Sequence, residues 1–206
     1  MHAGILDFAN VQSCRVASFK EPTPLELSHD FLWRVHAQAP GCGGMTIFNR
    51  SHYEDVLVVR VHDLVSKHVW KKRYDQINTF EELLTDSGTI ILKFYLRISK
   101  EEQEARLLER EKEADKAWKL SVGDWKEREL WKEYEKAYSD MLEKCSTEAA
   151  PWHMVPANHK WFRDLAIMDA LERALLPHKN KWHKHLEKLG AERKQELEAY
   201  RATQKA

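Results

Sequence analysis

The apolar run MTIFN at 45–49 breaks abruptly into Asn49, Arg50 and Ser51, and the carboxylates Glu54 and Asp55 follow closely. In parallel α/β proteins the carboxyl end of a strand is where ligands bind. An Arg placed there can hold phosphate oxygens with its planar fork. Asn and Ser can hydrogen-bond a phosphate or the water shell of a magnesium ion. The two carboxylates also have a plainer reading, because acids in a first helical turn favour its positive end. The pattern therefore marks an anion or nucleotide site, or a well-stabilised helix start.

Further cations are spaced so that they can converge. Lys20 follows the first strand, and Arg34 ends an apolar helical turn. Arg106 and Arg110 are four apart, hence on one helix face, with Lys116 and Lys119 close behind. A row of cations on a movable helix suits a polyanionic chain such as a phosphate polymer. The interleaved Glu102, Glu109, Glu111 and Glu113 allow ordinary surface pairs instead, which contribute little. The eleven His give no metal pattern: HExxH does not occur, and His183 and His185 diverge on a helix.

The elements that must position these residues alternate. Strands are predicted at 14–19, 45–49, 89–96 and 152–157, the third a nearly continuous apolar run of the kind buried on both faces of a parallel sheet. A helix is predicted from the Thr23 cap and Pro24, burying Leu27, Phe31 and the Trp33–Arg34 region. Another continues from the polar strand end through HYEDVLVVRVHDLV. Ser99 and Glu102 form a predicted capping box for a helix from 100. A later helix sets Trp131, Tyr134, Tyr138 and Leu142 on one face, and another follows the last strand. Alternating strands and helices imply an α/β fold with a parallel sheet and flanking helices. The organisation predicted is a domain over 1–176, with a helical lid at about 100–145, and a charged C-terminal helix over 177–206.

Composition narrows the partners. In 206 residues, 33 basic and 33 acidic side chains cancel, so no global field favours nucleic acid or an anionic membrane. Eight Trp in a chain that is 32% charged point to a globular protein with charged helices. Cys14, Cys42 and Cys145 lack CxxC spacing, which argues against a disulfide framework or zinc site. No apolar run approaches the ~20 residues of a membrane span and no signal peptide is read, leaving the cytoplasm as the default.

Five blocks taken together, SFKEPTPLELSHDFLWRVH, IFNRSHYEDVLVVRVH, ILKFYLRISKEEQEARLLER, WKLSVGDW and APWHMVPANHKWFRDLAI, resemble the polyphosphate kinase 2 family, in order from about 14 to 176. The resemblance implies a P-loop kinase fold like that of thymidylate kinase. It implies phosphate transfer between inorganic polyphosphate and a nucleoside mono- or diphosphate, with Mg2+, and a homo-oligomer. The His-Tyr-Glu-Asp version of the strand-end motif looks most like the branch acting on AMP and ADP. Carried over residue by residue, Arg50 would bind the transferred or adjacent phosphates, and Asn49 stands where many relatives have a magnesium-holding Asp. That departure leaves Glu54 or Asp55 as the possible carboxylate. Arg106 and Arg110 match lid arginines, Lys119 a position near the polyphosphate channel, and Arg34 a residue on the acceptor-nucleotide side. Lys20 and Ser51 are the other candidates for nucleotide contact.

One departure is large. The family's GxDxxGK loop does not occur in this sequence, and GCGGMT at 41–46 lacks a Lys and precedes a strand, so it fails as a phosphate cradle. Its strand lies centrally in such a sheet, between those at 45–49 and 89–96. The expectation is two half-sheets separated by about two strand spacings, roughly 9–10 Å, with unpaired edges. An incomplete domain is therefore expected, from a mis-assigned start, a gene fragment or a decayed paralogue. A catalytically impaired pseudo-kinase serving as subunit of an intact relative is the alternative. An ATP-dependent nucleoside monophosphate kinase fits the five blocks less well and needs the same loop.

Overall fold

The structure, a computed structural model, describes residues 14–112 and 121–204. Its four strands are β1 (Cys14–Ser18), β2 (Met45–Asn49), β3 (Lys93–Arg97) and β4 (Trp152–Pro156). β1 pairs parallel with β2, and β3 pairs parallel with β4. Among the described residues β2 and β3 do not pair, so the strands make two two-stranded sheets, the arrangement expected from the sequence. β3 starts at Lys93 and not at 89. Its register explains this, since Lys93 lies opposite Trp152, the first residue of β4, and the residues before it have no strand partner. Nor is β3 buried on both faces: only Lys93 is buried, and Phe94, Tyr95 and Leu96 are half-buried.

The helix predicted after Thr23 is two short ones, α1 (Pro24–Leu27) and α2 (Trp33–His36). Thr23 and Glu26 cap the first reciprocally. Asp30 Oδ1 then accepts from Leu32 N at 2.9 Å, and this local bond competes with a continuous helix. Leu27 is exposed as a result, whereas Arg34 and Val35 are buried. The HYEDVLVVRVH segment is likewise divided into a 3-10 turn (His52–Asp55) and α3 (Val58–Val61). The longest helix of the sheet-bearing region among the described residues, α4 (Lys67–Asp86), is not among the sequence predictions. Its Trp70, Tyr74, Ile77 and Glu81 are buried at spacings of four, three and four.

The predicted lid segment contains α5 (Lys100–Lys112), α6 (Val122–Glu129) and α7 (Trp131–Cys145). Ser99 Oγ caps α5 by accepting from Glu102 N at 3.1 Å. The capping box is only half formed, because Glu102 turns to Arg106 and the Ser99 N–H goes to Asn158. In α7 the fully buried line is Ala137, Met141 and Cys145, beside the predicted aromatic face. These three residues pack with Tyr53, Val56, Leu57, Trp70, Tyr74 and Ile77 in the main core. A second cluster, Ala17, Phe19, Val35 and Phe80, covers the β1–β2 sheet.

Helices α8 (Lys160–Leu175) and α9 (Lys179–Thr203) follow β4. The described residues up to Leu165 form one compact unit, and those from Ala166 onward a second. No described helix is long and apolar enough to cross a membrane. All three cysteines are free. Cys42 is exposed, while burial pushes the Cys145 thiol up to about 12. A maleimide is therefore expected to label Cys42 in the folded chain and Cys145 only after denaturation, read by mass spectrometry of peptides. Prompt Cys145 labelling would contradict this packing.

Candidate phosphate-facing site

The site is built on the end of β2. Phe19 N donates to the Asn49 carbonyl at 3.1 Å, which ties the carboxyl ends of β1 and β2 together. Arg50 then adopts φ 60°, a left-handed conformation that costs a non-glycine residue about 1–2 kcal/mol. Its side chain is exposed at the strand end. Ser51 Oγ accepts from Tyr53 N at 3.3 Å and so starts the 3-10 turn that presents Glu54 and Asp55.

The structure separates the two carboxylates. Asp55 is engaged by Arg73 of α4, which donates to its side chain at 2.9 Å and to its backbone oxygen at 3.0 Å. Glu54 accepts no hydrogen bond from a described residue. Burial raises its pKa, and the nearby Arg50 and Arg34 guanidinium charges partly oppose that rise. Burial raises Asp55 as well, against the pull of Arg73. Tyr134 and Tyr138 of α7 border Glu54, and their phenols are pushed up chiefly by burial. Tyr138 stacks on Tyr95 of β3 with ring centroids 4.6 Å apart.

The other predicted residues are distributed differently. Arg34 is 9% exposed and donates to the Lys20 carbonyl at 3.0 Å, with Glu26 at 3.7 Å. It therefore braces the end of β1 while its charge reaches Glu54. Lys20 itself is exposed there. Arg106 donates to Glu102 at 2.7 Å and to the carbonyls of Ala157 and Asn158 at 2.7 and 3.0 Å, fastening α5 to the end of β4. Arg110 is half-exposed and pairs with Asp124 at 3.3 Å. Lys116 and Lys119 lie outside the described residues. Among the described residues no three His, Cys, Asp or Glu gather as a metal cage.

Two features lie outside the sequence prediction. A cavity of about 430 Å³ opens where β3 and β4 end, lined by Arg97, Ser99, Asn158, His159 and Phe162 among others, and by none of the predicted residues. Beneath the site lies a buried polar cluster. Lys93 Nζ donates to Glu81 at 2.6 Å, to Tyr53 at 2.8 Å and to the Cys145 carbonyl at 2.7 Å. Tyr53 donates to the other Glu81 oxygen at 2.8 Å, with His52 Nε2 3.3 Å from that same atom. Burial alone would raise Glu81, but His52 and Lys93 hold it below the ordinary carboxylate value. A Lys within the apolar TIILKFYL run was the one sequence signal for this cluster.

Parallel strand pairs flanked by helices make this an α/β protein, and its likeness to solved polyphosphate kinase 2 structures puts it in the P-loop kinase-like class. Polyphosphate kinase 2 from Arthrobacter aurescens superposes with a TM-score of 0.83 at 46% identity, over 84% of this chain and 62% of that one. The sequence profile of the Polyphosphate kinase 2 family matches residues 3–183, and the chain belongs to that family. It is 51% identical over 171 residues to the AMP/ADP-polyphosphate phosphotransferase of Meiothermus ruber, covering 83% of this chain and 64% of the relative. It is 44% identical to the ADP-polyphosphate phosphotransferase of Rhodopseudomonas palustris, over 76% of this chain and 58% of that relative. The chain thus spans less than two thirds of the length of these relatives.

Proposed function

We propose that this chain carries part of a site that transfers phosphate between inorganic polyphosphate and AMP or ADP. The observation that carries the reading is Arg50, held in a left-handed backbone at a parallel strand end with Glu54 one turn away. The names of the relatives, AMP/ADP- and ADP-polyphosphate phosphotransferase, support the substrate class.

Phosphoryl transfer depends on positioning and charge neutralisation. Arg50 supplies a fixed guanidinium for the oxygens of the transferred or neighbouring phosphate. Arg34, braced on Lys20, keeps positive potential behind Glu54 and orients the acceptor side. Arg106 retains one terminal nitrogen beyond its bonds to Glu102 and β4, and Arg110 can exchange Asp124 for a phosphate. Lys119 is the remaining cation proposed for the polymer. A single half-buried carboxylate fits Mg2+, which keeps several waters and takes most other ligands from phosphates. Glu54 would hold it through water, where it would offset phosphate charge. Asp55, engaged by Arg73, serves instead to fix the turn.

The test is ATP formation from ADP, long-chain polyphosphate and Mg2+. It compares the folded chain with a chimera carrying a relative's GxDxxGK strand and loop ahead of residue 14. The chimera is expected to be active and the 206 residues alone at least a hundredfold slower, since they lack the amides and Lys that cradle phosphates. Equal activity would show that another segment forms the cradle. An inactive but folded chimera would favour the non-catalytic subunit.

A further inference from the structure

The two halves of α9 carry their charges differently. In the second half cations and carboxylates interleave: Arg193 donates to Glu196 at 2.9 Å, and Lys194 and Glu198 stand four apart. The first half holds Lys179, Lys181, Lys184 and Lys188 against Glu187 alone. Of these, Lys181, Lys184 and Lys188 join His185 in an i, i+3, i+4, i+7 pattern, so the four share one helix face over roughly 10 Å. All four are exposed. Lys188 lies 3.9 Å from Glu192 at the end of this stripe, and Lys181 and Lys184 have no carboxylate partner among the described residues. Most of the stripe lies beyond residue 183, where the family match ends.

Such a face works against its own helix. Like charges three and four apart repel, and cations in a first turn oppose the helix dipole. The first turn of α9 contains no acidic residue to offset them. A face that only solvated the helix would interleave carboxylates, as the second half does. A linear polyanion relieves the repulsion and gains by releasing its own counterions. We propose that Lys181, Lys184, His185 and Lys188 form an accessory polyphosphate-binding stripe, distinct in residues from the strand-end site. The choice of polymer rests on the proposed function, which makes inorganic polyphosphate the polyanion this chain meets. Single-stranded nucleic acid fits less well, because its binding uses aromatic faces for the bases. The stripe has none: Trp182 lies off it and stacks on His178 with ring centroids 5.4 Å apart. An anionic membrane would take the whole helix, and the second half brings Glu192, Glu196 and Glu198 with it. For a polymer long enough to reach both places, a second attachment raises its effective concentration at the strand end.

Binding of end-labelled long-chain polyphosphate to the full chain, followed by fluorescence anisotropy, reads the stripe. K181Q/K184Q/K188Q should weaken binding about tenfold or more, and should make the log–log salt dependence shallower by about two to three. K179Q/K194Q/R201Q removes as many charges from the opposite side of the same helix and should lose much less. Circular dichroism checks that both variants fold. Adding Arg50→Ala to each chain should leave the difference between them in place. The strand-end reading is tested by turnover of the chimera, so the two readings fail separately. Three results each overturn the proposal: a stripe variant that binds as tightly as the parent, an opposite-side variant that loses as much, or oligodeoxythymidylate or phosphatidylserine vesicles binding through the stripe more tightly than polyphosphate.

Discussion

Lys93→Met is expected to destabilise the chain by about 3–5 kcal/mol, the usual loss when one partner of a buried ion pair is removed. The three protons of the Lys93 ammonium all have acceptors: Glu81, the Tyr53 hydroxyl and the Cys145 carbonyl. Methionine fills similar volume but satisfies none of them, and Glu81 is only 1% exposed. The position matters beyond its hydrogen bonds. Tyr53 follows β2, Lys93 begins β3, and those strands do not pair among the described residues, so the cluster joins the two half-sheets through side chains. Urea unfolding followed by Trp fluorescence checks the loss. Lys93→Met with Glu81→Met should recover part of it, since a buried pair exchanged for apolar groups is often neutral. The pH dependence has a definite sign. Glu81 sits below its ordinary value, so its contribution is present above the usual carboxylate range and is lost as pH falls through its folded value. Without Lys93 the buried carboxyl prefers its proton, so the gap between parent and variant should narrow in acid. A loss under 1 kcal/mol, or a gap that widens in acid, would refute the ion-pair account.

How far these features were legible in the sequence depends on how local their causes are. β2 was readable to its last residue because a glycine turn, with Gly43 at φ 80°, enters it and the polar Asn49–Ser51 break leaves it. The start of β3 was not, because register with β4 sets it and the apolar run extends farther. Helix α4 was missed although Trp70, Tyr74 and Ile77 have helical spacing. Its stripe ends on Glu81, a carboxylate whose burial makes sense only with Lys93 opposite. The same omission hid Arg73, and with it the reason that Asp55 is engaged while Glu54 is not. At the site, residue types and spacing marked Asn49, Arg50 and Glu54 as candidates. The left-handed backbone of Arg50 was invisible, because no local propensity favours arginine there. Arg106 matched a phosphate-gripping position, but its bonds to the end of β4 depend on a contact about fifty residues away.

That backbone conformation permits a test separating charge from strain. In the chimera carrying the GxDxxGK segment, Arg50→Ala and Arg50→Gly should each lower ATP formation by about a hundredfold or more, the scale for removing one preorganised charge-stabilising donor. Their stabilities should diverge. Alanine keeps the penalty of φ 60°, whereas glycine relieves it, so the glycine variant should be more stable than the alanine variant by about 1 kcal/mol. Glu54→Gln should also impair turnover, with the deficit shrinking as Mg2+ is raised if the carboxylate holds the hydrated ion. Its effect on stability has the opposite sign to its effect on activity. Burial raises Glu54, with Arg50 only partly opposing, so its contribution is fully present below the unfolded carboxylate value and is lost as pH rises through the folded value. Glutamine carries no such dependence, so Glu54→Gln should raise the melting temperature at pH 7 and bring little gain near pH 4. Gains of equal size at both pH values would show that the ionised carboxylate bears no folding cost. A strained arginine and a desolvated carboxylate, each costing stability and serving turnover, are what the proposed phosphate site predicts.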